Sequence, residues 1–242
     1  MLTPLACFLR AEGVLPSHRH PTNHAYLDVA RLGAMSFAQK ERERLAELFL
    51  QVGPDAPTLN EGWTTQDLAI HLLVRESKPA AAPGIFIDAL SGLTEKETRK
   101  QQLRPYEDVV REWAAGPPVW MKPLNTAMNT SEHFIHHEDV RRGGGVVEPR
   151  EFSQAVNEQL FALAKRFGAL TMRKAPVPVI LTPPNLPPVT LADKAGVAQR
   201  GDHVLRVSGE PGELLLWVSG RDAVKVNLTG AVDEFDGFSV KM

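Results

Sequence analysis

Glu132-His133-Phe134-Ile135-His136-His137-Glu138-Asp139 is the stretch on which the reading of this chain turns. It gathers three of the eight histidines and three carboxylates into one window. No glycine or proline interrupts it, and Gly143-Gly144-Gly145 follows as a stop. The spacing therefore predicts one helix over residues 120–142. On a helix, residues i and i+4 stack with Cβ atoms ~5–6 Å apart. Two such side chains can reach one ion at bond lengths of ~2.0–2.2 Å. The window offers two pairs of this kind, Glu132/His136 and His133/His137. At about 100° per residue, Leu124, Met128 and Ile135 fall on one side, with Asn125, Glu132, His136 and Asp139 beside them. His133 and His137 fall further round, near Thr130. Glu132/His136 is thus the pair expected to face the interior, and His137 is the reserve ligand if the register differs. The competing reading is a solvated face rich in His and Glu.

A second signal lies about sixty residues upstream. Thr64-Thr65-Gln66-Asp67 reads as a capping box. The helix it opens runs through Leu68, Ile70, Leu72, Leu73 and Val74 to a stop in the Pro/Ala stretch 79–83. Asp67, His71 and Arg75 form an i, i+4, i+8 polar stripe on that otherwise apolar helix. Such a stripe needs partners if it is buried. A metal would satisfy His71, and Asp67 could orient its ring as an acceptor. Two histidines and one carboxylate leave coordination positions open, which is the pattern of a catalytic rather than a structural site. Trp63 reads as a core anchor beside the cap. Arg141-Arg142 read as balancing a helix C-terminus. Arg221 reads as a solvated turn residue, with substrate contact as the alternative.

Outside these segments, 36–52 reads as an amphipathic helix ended by Gly53-Pro54, and 94–115 as helix broken at Pro105. A further helix is expected over 150–167, with Pro149 near its first turn. After residue 175 the character changes. Prolines crowd a short span, then apolar runs at 204–207, 214–218 and 224–228 are separated by glycines, which are strand and turn signals. The expected fold class is α+β: a helical domain over 35–172 and a small β-rich domain over 173–242 with room for one helix. Residues 1–34 carry Pro4, Pro16, Pro21, His18, His20 and His24 without a sustained period. They read as a weakly structured extension, with Met35 as an alternative start.

The 242 residues suffice for one large domain or two small ones. A net charge of −2 removes any global electrostatic case for nucleic acid or an anionic membrane. The single cysteine, Cys7, excludes an intrachain disulfide and a Cys-based zinc module, so a metal must be held by His, Asp and Glu. No window approaches ~18 consecutive apolar residues, so no transmembrane helix is expected. The apolar run 5–9 lacks a preceding basic region and makes a poor secretory signal. These observations lead to the expectation of a soluble cytoplasmic protein.

From Met35 onward the chain resembles the DinB-like metalloprotein superfamily. Within it, the chain is similar to the actinobacterial group related to mycothiol-dependent maleylpyruvate isomerase. Gly62-Trp63-Thr64-Thr65-Gln66-Asp67-Leu68-Ala69-Ile70-His71-Leu72 matches a W-T-x-x-D-L-x-x-H-L pattern. The run from Glu132 to Asp139 matches E-x-x-x-H-x-x-D. The run from Gly209 to Gly220, with Gly212-Glu213-Leu214-Leu215-Leu216-Trp217, resembles the C-terminal domain of the same group. The resemblance implies a four-helix bundle with a divalent metal, usually zinc, held by His71, Glu132 and His136. It implies a small C-terminal α/β domain of sterol-carrier-like fold. It also implies that the open metal position takes a low-molecular-weight thiol, mycothiol, as the thiolate that attacks a small electrophilic substrate. Asp67 and Asp139 would hold the ligands in place. The group's C-terminal catalytic residues have no residue-by-residue match here. A metal-binding protein without catalysis, with a stress or regulatory role, is the alternative.

Overall fold

Two capping boxes open the helical part of the molecule. In the computed structural model, which describes residues 35–85, 87–117, 126–193, 196, 198 and 203–238, Ser36 caps α1 (Phe37–Val52). The Ser36 Oγ accepts the Gln39 amide N–H, and the Gln39 side chain accepts the Ser36 N–H at 2.9 Å. Thr64 caps α2 (Thr65–Ser77) in the same way with Asp67, as the sequence predicts. Each box satisfies two otherwise orphaned N–H groups at a helix start. Helices α3 (Ser91–Gln102) and α4 (Tyr106–Ala114) are separated at Pro105, which occupies the N-cap of α4. Helix α5 (Thr126–Arg142) carries the His/Glu window and ends before the three glycines. Helix α6 (Gln154–Thr171) starts later than expected, with Ser153 at its N-cap and Pro149 outside it.

Four short strands follow: β1 (Val179–Thr182), β2 (Val189–Leu191), β3 (Leu205–Ser208) and β4 (Asn227–Gly230). They form one sheet in the order β2-β1-β3-β4, with a parallel β1–β3 centre and antiparallel outer pairs. The described residues thus make an α+β fold. The strand expected at 214–218 is instead part of a helix, α7 (Pro211–Val218). Leu214, Leu215 and Leu216 are all fully buried and Glu213 is buried beside them, so α7 has no wet face that would mark a 3.6-residue period. Its start signal was Pro211 in the first helical position, where the missing N–H costs nothing.

The helices enclose two apolar cores. One joins Leu45 and Phe49 of α1 with Leu68, Leu72 and Leu73 of α2 and Val110 and Trp113 of α4. The other joins Leu160 and Ala164 of α6, the α7 leucines and the inner face of the sheet. Helix α5 serves both, giving Val140 to the first and Phe134 and Ile135 to the second. At the second contact a Cβ on Gly212 would stand 2.9 Å from the Phe134 ring, so glycine lets α7 approach α5 closely. From Ser36 onward the described residues form one compact unit. The expected extension 1–34, with Cys7, His18, His20 and His24, lies outside the described residues, as does the stretch 120–125 of the predicted helix.

The competing reading of α5 as a solvated face is not observed. From Asn129 to Val140 every residue except Glu132 is buried, and each ionisable one is matched by a partner. His133 and His137, expected further round, face inward as much as Glu132 and His136. His133 meets the Ala38 carbonyl oxygen and the Glu76 carboxylate, each at 2.9 Å. His137 Nδ1 meets Glu41 at 2.9 Å. Arg142 does more than balance a helix end. It is 1% exposed, donates to both Glu213 oxygens at 2.6 and 2.9 Å, and to Glu138 at 2.7 Å. A buried charge needs such compensation to be tolerated. Among the described residues, no helix is long and apolar enough to cross a membrane.

Candidate metal centre

Helices α2 and α5 bring one histidine and one His/Glu pair together. His71, Glu132 and His136 each offer a ligand atom, and these atoms all lie within 4.8 Å of one another. His136 Nε2 stands 3.3 Å from Glu132 Oε2, and the His71 and His136 rings meet edge to face at 5.4 Å. The Glu132/His136 pair therefore converges with His71, whereas His133 and the reserve ligand His137 do not. The reason differs from the expected one: all four side chains face protein, but only this pair faces His71 and the cavity beside it.

The surroundings fit a divalent ion by the chemistry of the donors. His136 Nδ1 lies 2.8 Å from Asp139 Oδ2, which leaves Nε2 as the atom turned toward Glu132. A carboxylate on the far ring nitrogen is the arrangement that fixes a ligating histidine. Asp139 is fully buried and accepts from Arg221 through both oxygens, at 3.0 Å from Nε and 2.8 Å from Nη2. Arg221 also donates to the Ser219 carbonyl and to Asn60 Oδ1. The solvated-turn reading of Arg221 is thus corrected: it is a buried clamp between the segment after α7 and the His/Glu helix. Arg75 Nε lies 3.5 Å from Glu132 Oε2, and its guanidinium donates to Asn129. Of the two roles expected of Asp67, the structure shows the capping one. Its Oδ2 accepts from the Thr64 amide and hydroxyl at 3.0 and 2.9 Å, and among the described residues it makes no hydrogen bond to His71. The capping box has claimed the carboxylate.

Electrostatics sort the ligands. Burial, helped by the nearby His136, pushes the His71 imidazole down to about 4, so it presents a lone pair at neutral pH. Burial pushes Glu132 up, but the hydrogen bond and charge of His136, then Arg75, outweigh it and hold the carboxyl at about 2. Burial also pushes His136 down, yet Asp139 and Glu132 more than offset that and raise it to about 9. Asp139 is held below the usual carboxylate range: burial opposes this, and the bonds to His136 and Arg221 overcome it. A cation bound at this point would have to displace the proton that His136 holds between two carboxylates.

The three candidate ligands open onto a cavity of about 440 Å³ whose wall includes Arg75, Arg221, Ile135 and Phe167. A second cavity of about 480 Å³, with Thr94 and Thr98, shares Trp63, His71 and Ile85 with the first. Trp63 is not a core anchor. It is 38% exposed and its ring lies 5.2 Å from that of His71, so it roofs the imidazole where the two cavities meet. The only local signal for this was its position ahead of the capping box, which does not tell a roof from a core residue. No protein-family model, curated protein or solved structure matches the chain.

Proposed function

We propose that this chain is a divalent-metal enzyme, with zinc as the ion, that activates a low-molecular-weight thiol such as mycothiol for transfer to, or isomerisation of, a small electrophile. The carrying observation is the convergence of His71, Glu132 and His136 beside an open cavity. We further infer that α1, α2, α4 and α5 are a DinB-like four-helix bundle, that the sheet region is sterol-carrier-like, and that the protein works in the cytoplasm. The resemblance of the two α-helical motifs supports the bundle, and that of the run from Gly209 to Gly220 supports the reading of the sheet region.

When bound, the ion would supply Lewis acidity and lower the pKa of a coordinating thiol. The chain's residues prepare that position. Asp139 takes the Nδ1–H of His136 and so aims Nε2 at the site. Arg221 grips Asp139 on both oxygens and keeps it from turning away. Glu132 and Asp139 are offset by Arg75 and Arg221, so the added positive charge is left for an incoming anion, the form in which a thiol reacts. Trp63 covers the His71 ring and restricts water on that side.

The test begins with metal analysis of untagged protein prepared without chelator. One divalent ion per chain is expected, with most of it lost in His71→Ala and in His136→Ala. Folded wild-type protein without metal, or a folded double variant that keeps it, would overturn the reading. A screen for thiol-dependent conversion of electrophiles then separates an enzyme from a metal-binding protein with a stress or regulatory role.

A further inference from the structure

The cavity of about 480 Å³ on the far side of His71 differs in character from its neighbour. Helix α2 divides the two. Asp67, His71 and Val74 stand at i, i+4 and i+7, on one face of that helix, and all three line this cavity. Arg75, one position further on, lines the neighbour instead, with Arg221 and Glu132. Ile85, Thr94, Thr98 and Trp63 continue the wall. Among the described residues, no lysine or arginine lines it.

The wall opposite α2 is closely fitted. Helix α3 presents Thr94 and Thr98 one turn apart. Thr94 Oγ1 donates to the Ala81 carbonyl at 2.6 Å, which ties the short turn Ala82–Ile85 to α3. A Cβ on Gly84 would collide with the Leu90 carbonyl oxygen and with Thr94 Oγ1, so glycine is what lets this turn come so near. That approach holds Ile85 in the wall.

The polar atoms select a ligand by charge. Asp67 Oδ2 is taken by the Thr64 amide and hydroxyl, whereas Oδ1 has no hydrogen-bond partner among the described residues. A carboxylate oxygen only accepts, so a ligand reaching it must bring an O–H or N–H. An anion would lie beside this carboxylate without a counter-ion in the wall, which is strongly disfavoured. A cation would lie beside the divalent ion that His71 is proposed to hold. The indole of Trp63, with Val74 and Ile85, offers apolar surface to the rest of the ligand. The volume falls within the ~300–1,000 Å³ of ordinary small-molecule pockets.

We propose that this second cavity seats the electrophile, and that the electrophile is an uncharged small molecule with an apolar body and a hydroxyl or amide N–H for Asp67. Its role as substrate rests on the metal-enzyme reading above; its binding in this cavity does not. His71 walls both cavities, so a molecule seated here lies next to the ion position while the neighbouring cavity stays open for the thiol.

The test is a titration of the full chain followed by the Trp63 indole N–H signal and the Val74 and Ile85 methyl signals. Benzyl alcohol is the uncharged probe, and benzoate is its anionic counterpart of similar size. Saturable shifts of all three residues with benzyl alcohol are expected, with benzoate weaker by about ten-fold or more. Thr98 is half-buried and makes no hydrogen bond among the described residues, so Thr98→Phe fills the cavity without breaking a bond of the fold. The folded variant should lose about ten-fold or more of the affinity, since the ring takes the ligand's place. Signals unmoved up to ~20 mM benzyl alcohol, about the weakest affinity expected of so small a ligand, would overturn the proposal. So would benzoate binding as tightly as benzyl alcohol, or a folded Thr98→Phe protein with undiminished affinity. Metal content separates the two readings. Protein that binds benzyl alcohol but holds no divalent ion loses the substrate role and keeps the pocket, and metal-loaded protein whose three signals stay still loses the pocket alone.

Discussion

Replacing Glu76 by glutamine should destabilise the protein at neutral pH and leave it almost unchanged in acid. Glu76 is 1% exposed and surrounded by donors. Trp113 Nε1 at 3.0 Å and His133 Nε2 at 2.9 Å meet Oε1, while Arg42 and Asn129 meet Oε2. A glutamine keeps one oxygen and sets an NH2 group against two of those donors. Burial pushes the Glu76 carboxyl up, but His133, Arg42 and Trp113 outweigh it and lower it from 4.5 to about 2. At ~1.36 kcal/mol per pH unit, that gap is worth about 3 kcal/mol. Breaking a buried ion pair from one side costs ~3–5 kcal/mol, the same range. Because the folded value lies below the unfolded one, this stabilisation is complete above about pH 4.5 and is lost as pH falls toward 2. Urea denaturation of wild type and Glu76→Gln across that window measures it. The variant should be weaker by about 3 kcal/mol at pH 7, with the two curves closing as pH drops. A difference under ~1 kcal/mol at pH 7, the size of an exposed pair, or one that does not change with pH, would refute the reasoning.

Two further outcomes follow from close contacts and from the ligand support. A Cβ on Gly143 would sit 2.0 Å from the Pro57 carbonyl oxygen and 2.8 Å from Thr58 Cα, both backbone, so neither can swing aside. Gly143→Ala should cost ~1–3 kcal/mol and lower the melting temperature, and it should displace the segment that carries Asn60 and Trp63; an unchanged melting temperature would contradict this packing. Asp139→Asn removes the charge between His136 and Arg221 and should weaken metal binding by about 10–100-fold, as loss of a carboxylate behind a ligating histidine does. Competition with a metallochromic chelator reads this directly, and unaltered affinity would remove Asp139 from its orienting role.

What the sequence made legible was local. Thr64 and Asp67 are three residues apart, so their capping box could be read without knowing the fold. Glu132 and His136 are one turn apart, and the pairing that converges with His71 is the one favoured from helix geometry. The partners that decide the remaining polar residues are remote. His133 finds Glu76, His137 finds Glu41, Arg142 finds Glu213 and Arg221 finds Asp139, all more than fifty residues away. No period or motif reports such pairs, so His133 and His137 looked peripheral and Arg221 looked solvated. Helix α7 leaves no periodic signal for a related reason. Periodicity reveals a helix only when one face is wet, and Leu214–Leu216 have no wet face. Asp67 shows the opposite error, in which one carboxylate was assigned two duties and the nearer one, to Thr64, prevailed.

The dense ionic packing around α5 also limits how sequences with this fold can drift. Positions 76 and 133, 41 and 137, and 142 and 213 each pair a buried acid with a buried base on another element. A single change at any of them strands its partner, at ~1–3 kcal/mol for a lost buried hydrogen bond and ~3–5 kcal/mol for a broken ion pair such as 142 and 213, a large part of the ~5–15 kcal/mol that keeps a typical domain folded. Replacing both members with apolar residues of matching volume can be neutral or stabilising. Each pair is therefore separated from its apolar equivalent by a poorly folded intermediate. Substitutions at these positions should be inherited as couples, and their concerted variation would trace the neighbours of α5 from sequence alone.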